Sequence, residues 1–180
     1  WLFSEALNLP WLNLGKLRGS YGITGNDQIG DYQYLQSYLI GENQYNGNIG
    51  LEPARLYNPN FQWEVNKKTE AGIELGLYKN RIFLNLSYYY SRASNQLINY
   101  TLPATTGFTA ILTNLDAVVE NKGLEAEMKS RIIQNDDFAW NVDVNLTVPK
   151  NTLLEFPGLE NSTYANRFVV GKSLSITQLY

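Results

Sequence analysis

From Phe138 to Val148 every second residue is apolar. Phe138, Trp140, Val142, Val144, Leu146 and Val148 share one face, and Ala139, Asn141, Asp143, Asn145 and Thr147 share the other. Successive side chains leave a β-strand on opposite sides, so a period of two marks a strand with one oily and one wet face. Just upstream, Leu124, Ala126, Met128, Ser130 and Ile132 alternate with Glu125, Glu127, Lys129 and Arg131. The link Gln134–Asn135–Asp136–Asp137 is polar turn chemistry, which predicts a hairpin over about 122–148. A second hairpin is predicted earlier. Thr69, Ala71, Ile73, Leu75 and Leu77 alternate with Lys68, Glu70, Gly72, Glu74 and Gly76. Tyr78–Lys79–Asn80–Arg81 forms the turn, and Ile82, Leu84, Leu86, Tyr88 and Tyr90 line one face of the return strand. Phe83 and Tyr89 interrupt its polar face. A fifth strand, Gly15 to Ile23, sets Leu17, Tyr21 and Ile23 against Lys16, Arg18 and Ser20.

Between these strands lie stretches rich in turn residues, 24–62, 95–121 and 149–167, the first holding a strand-like piece from Tyr32 to Ile40. Periodicity does not separate a membrane barrel from a soluble sandwich, and three further features favour the barrel. The wet faces carry Lys68, Glu70, Glu74, Glu125, Glu127, Lys129 and Arg131, which suit a watery lumen. Strands of roughly 10–14 residues exceed the ~5–6 usual in globular sheets and cover the ~9–11 a bilayer needs. Connections alternate between short and long, as in outer-membrane barrels with short periplasmic turns and long extracellular loops. Tyr78, Tyr88 and Tyr90 stand where interfacial girdles belong. A soluble β protein remains the alternative.

Composition narrows the chemistry. The 180 residues include no His and no Cys but 13 Tyr, 4 Trp, 7 Phe and 21 Asn. The chain therefore lacks the commonest general base, thiolate nucleophiles and any disulfide framework. A net charge of -3 offers no basic face to nucleic acid. No apolar run exceeds three residues, so no membrane-crossing helix is expected. No secretory leader opens the chain, which starts in mid-pattern at Trp1–Leu2–Phe3 and stops inside another apparent strand at Leu179–Tyr180; a mature or internal segment is expected.

Several runs then carry a resemblance. Lys16-Leu-Arg-Gly-Ser-Tyr-Gly-Ile-Thr-Gly-Asn26 with Asp27-Gln-Ile-Gly-Asp-Tyr32, Tyr57-Asn-Pro-Asn-Phe-Gln-Trp-Glu64, Thr69-Glu-Ala-Gly-Ile-Glu-Leu-Gly76 with Lys79-Asn-Arg-Ile82, and Asn121-Lys-Gly-Leu-Glu125 follow one another in consistent order. Together they resemble the SusC/RagA family of TonB-linked outer-membrane proteins of Bacteroidota. The resemblance implies that residues 1–180 are part of an all-β, antiparallel transmembrane barrel of 22 strands with long extracellular loops. It implies import of oligosaccharides, glycans or peptides across the outer membrane, powered through TonB, with a SusD-like surface lipoprotein as partner and lipid or lipopolysaccharide around the wall. Plug, TonB box and closing strand are expected to fall outside these residues. Turns 78–81 and 134–137 then face the periplasm, and loops 94–121 and 149–168 are extracellular. Loop 24–62 joins them if Tyr32–Ile40 belongs to a loop hairpin; if that piece crosses the membrane, strand 15–23 runs the other way.

Candidate chemistry is thin. Glu125 with Glu127, or Glu70 with Glu74, could mimic a glycosidase acid pair, though a hydrated wall of mixed charge is the plainer reading. Asp27 and Asp31 beside Asn26 offer oxygens to Ca²⁺ without EF-hand spacing, and a solvated turn accounts for them. Gly19, Gly22 and Gly25 lack the strand–turn–helix setting of a nucleotide loop. Asn145-Leu-Thr and Asn161-Ser-Thr match the glycosylation pattern and carry little weight on a bacterial chain. No cofactor, metal or catalytic residue is expected. Tyr45, Tyr57, Phe61, Trp63, Tyr100 and Phe108, set among Asn, Gln and Thr, are the candidate ligand contacts, because flat rings cover apolar C–H faces while amides satisfy polar groups. Packing of loops against each other or against a lid would use the same rings. Two other functions compete: a small self-contained outer-membrane barrel with a structural or adhesive role, and a soluble carbohydrate-binding β domain. An enzyme comes third.

Overall fold

A computed structural model of the chain describes residues 1–26, 32, 34–45 and 47–176, the side chains of 42–45 and 104 excepted. Five long strands form one antiparallel sheet: β1 (Leu12–Asn26), β4 (Glu64–Leu77), β5 (Ile82–Ser94), β8 (Val118–Gln134) and β9 (Ala139–Glu155), in the order β1-β4-β5-β8-β9. These are the five strands the alternation predicts, but β1, β8 and β9 are longer than expected. Two small hairpins stand outside the sheet, β2 (Ser37–Tyr45) with β3 (Asn48–Arg55), and β6 (Gln96–Thr101) with β7 (Ala110–Leu115). Since β1 pairs directly with β4, antiparallel, β2 and β3 belong to a loop hairpin between them and not to the wall. Strand structure there begins at Ser37, not at Tyr32.

The two short turns differ in how they close. Tyr78, Lys79 and Asn80 all adopt left-handed φ of 51–61°, without a glycine among them. The strain is offset locally: Tyr78 N–H donates to Trp11 O at 2.9 Å, and Asn13 Oδ1 accepts from Lys79 N–H. At the other turn Asn135 N–H donates to Phe138 O at 2.8 Å. A bulge between Arg131 and Ile133 sets Ile133, not Ile132, opposite Trp140. At the start of the chain, Leu2 bridges Lys16 on the free side of β1, ahead of a one-turn helix, Ser4–Leu7.

Register sorts the side chains into two faces. Leu17, Ile73, Leu86, Ala126 and Leu146 form one cross-strand row, followed by Ala71, Tyr88, Leu124 and Val148. The next row on the opposite side reads Lys16, Glu74, Asn85, Glu127 and Asn145. Among the described residues no second sheet covers the apolar face. Leu86 and Leu124 lie on interior strands yet are 43% and 60% exposed, and Leu146 on β9 is 59% exposed. A soluble sandwich would bury these residues at a cost saving of roughly 25 cal/mol per Å².

The apolar face also slopes. On β1 it ends at Ile23, whereas on β9 it ends at Val148, although the row through Ile23 meets β9 at Thr152, four residues further on. At the lower edge Gly15 shares its row with Val144, and β9 stays apolar four residues below that, to Trp140. The band thus drifts by one residue per strand. That is about 3.3 Å along for every ~4.8 Å across, a tilt of roughly 35°, at the lower end of the ~35–45° of closed barrels.

Candidate functional site

The polar face is a wall of paired charges. Lys16 Nζ lies 3.3 Å from Glu74, Arg18 3.0 Å from Glu70 and 3.5 Å from Glu74, Lys68 3.1 Å from Glu70, and Lys129 2.7 Å from Glu127. Such half-exposed pairs add little stability each, but they keep the wall ionised in both signs and wet. Glu70, Glu74 and Glu127 are therefore tied to cations, and Glu125 accepts from Ser87 Oγ at 3.5 Å. Arg18 spans to β4 by lying over Gly72, where a Cβ would come within 2.7 Å of Nε. Of the two rings that break the polar face, Tyr89 has a similar explanation. Its ring fills the space beside Gly123, its cross-strand partner, whereas Phe83 pairs with Gly76 across the strands.

At the end of the sheet remote from the short turns, the polar face becomes apolar. Ala117, Val119, Leu153, Phe156 and Leu159 form a small buried core, with Tyr164, Phe168 and Leu174 packed against it. The chain beyond β9 is drawn back by two backbone bonds, Leu153 N–H to Lys172 O at 2.9 Å and Gly171 N–H to Leu153 O at 2.7 Å. Tyr164 gathers the rings. Its centroid is 6.1 Å from Tyr100, edge-on, 5.7 Å from Phe168, stacked, and 6.2 Å from Phe156. Arg167 lies over Phe168 at 5.2 Å. A cleft of about 170 Å³ opens here, lined among others by Gln96, Ile98, Tyr164, Arg167 and Phe168. Beside it a polar recess of about 560 Å³ is walled by Tyr89, Asn121, Asn151 and Ser173.

Amide side chains lock the loops together. Asn114 accepts from Gln62 N–H at 2.8 Å and donates to Gln62 O at 2.8 Å and Asn95 O at 2.9 Å, which ties the segment before β4 to the β6–β7 hairpin. Glu64 Oε1 accepts from Leu97 N–H at 2.8 Å, and Asn58 Nδ2 donates to Leu112 O at 3.1 Å. Asn114→Ala removes three bonds at once. At about 0.5–1.5 kcal/mol each, local opening should become about 1.5–4.5 kcal/mol easier. Amide hydrogen exchange at Gln62 and Leu97 should accelerate accordingly, while the mid-strand amides of β5 keep their protection.

None of the five described candidate rings, Tyr57, Phe61, Trp63, Tyr100 and Phe108, makes a ring contact with another of them. Tyr57 and Trp63 are each 59% exposed, and Phe61, Tyr100 and Phe108 are half-buried. The Tyr45 side chain, Asp27 and Asp31 lie outside the described residues. Among the described residues Tyr100 alone of the six makes a ring contact, and its partner Tyr164 belongs to a stretch that composition marks only as turn-rich. Gly19, Gly22 and Gly25 sit in extended strand within β1, Asn145 on the wall of β9 and Asn161 in a 3-10 turn. No group of three or more acidic residues that could hold a metal ion occurs among the described residues.

This architecture is found in known proteins. Residues 1–175 match the family described as TonB dependent receptor-like, beta-barrel. The chain is 32% identical over its whole length to TonB-dependent receptor P39 of Formosa agariphila, covering 17% of that protein. It is 30% identical over 83% of its length to TonB-dependent receptor SusC of Bacteroides thetaiotaomicron, covering 16% of it. A solved structure of the RagAB peptide transporter superposes on 89% of this chain and 18% of that one, with a TM-score of 0.77 and 25% identity. The chain thus spans about a sixth of the curated relatives it matches. Members of this family are outer-membrane β-barrels crossed by strands, and no helix among the described residues is long and apolar enough to cross a membrane. An uncovered apolar band, a charged opposite wall, barrel tilt and the match over 1–175 converge: the chain belongs to the SusC-like TonB-dependent receptors, as a segment of their outer-membrane barrel wall with its extracellular loops.

Proposed function

We propose that this segment serves TonB-dependent import of oligosaccharides, glycans or peptides in an outer-membrane transporter of Bacteroidota type. It supplies part of the wetted barrel wall and part of the extracellular mouth, beneath a SusD-like surface lipoprotein. The observation that carries this reading is the sheet with two solvents: its apolar face is bare on interior strands, and its opposite face is ionised and hydrated. An enzyme has no use for such a wall, and the order β1-β4-β5-β8-β9 leaves β1 and β9 apart, against a small self-contained barrel. RagAB, a structural neighbour, is described as a peptide transporter, which supports a peptide cargo. SusC as a relative is equally consistent with import.

Cargo contact falls to the loop aromatics. Tyr100 with Tyr164 and Phe168 offers a packed ring surface beside Arg167 and Gln96, and Tyr57, Phe61, Trp63 and Phe108, with Tyr45, extend the ring-bearing loops. The test is uptake of labelled oligosaccharide and labelled oligopeptide by cells carrying the complete receptor. Uptake of one of them should vanish in cells lacking TonB, and a Tyr100→Ala, Tyr164→Ala receptor should bind that cargo roughly tenfold more weakly, two stacking contacts being worth about 1–3 kcal/mol. Unchanged uptake without TonB, at normal receptor abundance, would rule the proposal out.

A further inference from the structure

We infer that the outward face of this wall carries a binding site for the phosphates of an outer-leaflet glycolipid, formed by Lys67, Arg92, Lys122 and Lys150. All four point to the apolar side of the sheet. Lys67 and Arg92 share the row of Ile23 and Thr152; Lys122 and Lys150 share the row below, with Tyr21 and Tyr90. The stagger disappears once the tilt is removed. With the upper edge of the band falling one residue per strand from Ile23 to Val148, each cation stands one or two residues above that edge. This is a level belt about 3–7 Å beyond the hydrocarbon boundary, carried on four adjacent strands.

Charge balance calls for an anion. Glu120 is the belt's one carboxylate, buried at 7% exposure, and it draws Lys122 to 2.7 Å, Arg92 to 3.7 Å and the Tyr90 hydroxyl to 2.9 Å. Lys67 and Lys150 have no ion-pair partner among the described residues. Lys122 and Lys150 are direct cross-strand neighbours, an arrangement that repels unless a counter-charge joins them. Four cations against one carboxylate leave a local excess of positive charge on a chain whose net charge is -3. Beneath the belt Tyr88, Leu124 and Val148 continue directly into the apolar band. The fitting occupant carries phosphates at the belt and acyl chains on the band. Free phosphate satisfies the first half only, so the site is assigned to a phosphorylated lipid. This rests on the wall facing lipid and is independent of the cargo.

The test uses the complete receptor in detergent, titrated with diphosphorylated lipid A and with the same lipid stripped of both phosphates, binding being read by native mass spectrometry. The phosphorylated form should bind about tenfold or more tightly, and K67Q/R92Q/K122Q/K150Q should abolish that preference, each basic group near an anionic headgroup adding its own increment. K68Q/K129Q, which removes two cations from the opposite face, should retain it. Because loss of Arg92 and Lys122 leaves Glu120 unpaired, K67Q/K150Q is measured beside them; it should weaken binding about fivefold with an unchanged thermal midpoint. Equal binding of both lipids by the unaltered receptor, full preference in K67Q/K150Q, or displacement of the lipid by millimolar inorganic phosphate would each overturn the assignment.

Discussion

Replacing Leu86 by arginine should destabilise the complete receptor in a bilayer by about 2–4 kcal/mol, while the same change at Ile23 should be nearly silent. Leu86 is on β5, in the middle row of the sloping band, and 43% of its surface is uncovered by protein. Its only other solvent is lipid. An arginine at mid-membrane on a barrel's lipid face costs about 2–4 kcal/mol, and near an interface about 0–1. Ile23 stands at the upper edge of β1, where a guanidinium reaches water. Thr147→Arg supplies the control for face: it lies on the wetted wall, one residue from Leu146, and should shift stability by no more than about 0.5 kcal/mol. Urea unfolding of the three variants from lipid vesicles orders them. Equal midpoints for Leu86→Arg and Thr147→Arg would mean that both faces see the same medium, and the barrel assignment would fail.

That prediction rests on a pattern the sequence shows without help. Each wall strand separates two solvents, so alternation is enforced residue by residue along Lys68–Leu77, Leu124–Arg131 and Ala139–Val148. Strand ends were harder to place for the same reason. Above the band both faces are polar, as at Glu120-Asn121-Lys122 and Lys150-Asn151-Thr152, so β8 and β9 run past the point where alternation fades. Composition shows only part of one hairpin, Ser37–Ile40 of β2 within the strand-like piece Tyr32–Ile40, and hides the rest. β3 contains Gly50 and Pro53, and β7 sets Ala110, Ile111 and Leu112 side by side; each strand owes its conformation to its partner and, for β7, to bonds such as Asn58 to Leu112 O. The ring cluster was half visible. Tyr100 stands out by its setting among Asn and Thr, but Tyr164, stacked on Phe168, reaches it only because residues 171–172 return to Leu153, a contact that no local pattern encodes.

Cross-strand fit also decides what Gly123 does, and here the second large effect is expected. A Cβ at Gly123 would fall 2.7–2.8 Å from Oη, Cε1 and Cζ of Tyr89, so the ring occupies the space a side chain would need. Both residues lie on interior strands, β5 and β8, where neither backbone can yield freely. Gly123→Val should therefore destabilise the folded barrel by about 1–3 kcal/mol through overpacking. Valine is otherwise the better strand residue, because glycine gives up more chain entropy, by roughly 0.5–1 kcal/mol. The sign should reverse once the ring is gone: in a Tyr89→Ala receptor, Gly123→Val should be neutral or stabilising by up to about 1 kcal/mol. A double-mutant cycle on urea midpoints isolates the coupling, expected at about 1.5–4 kcal/mol from the two preceding terms. If valine costs the same with and without Tyr89, the glycine answers to its own backbone and the ring is a bystander.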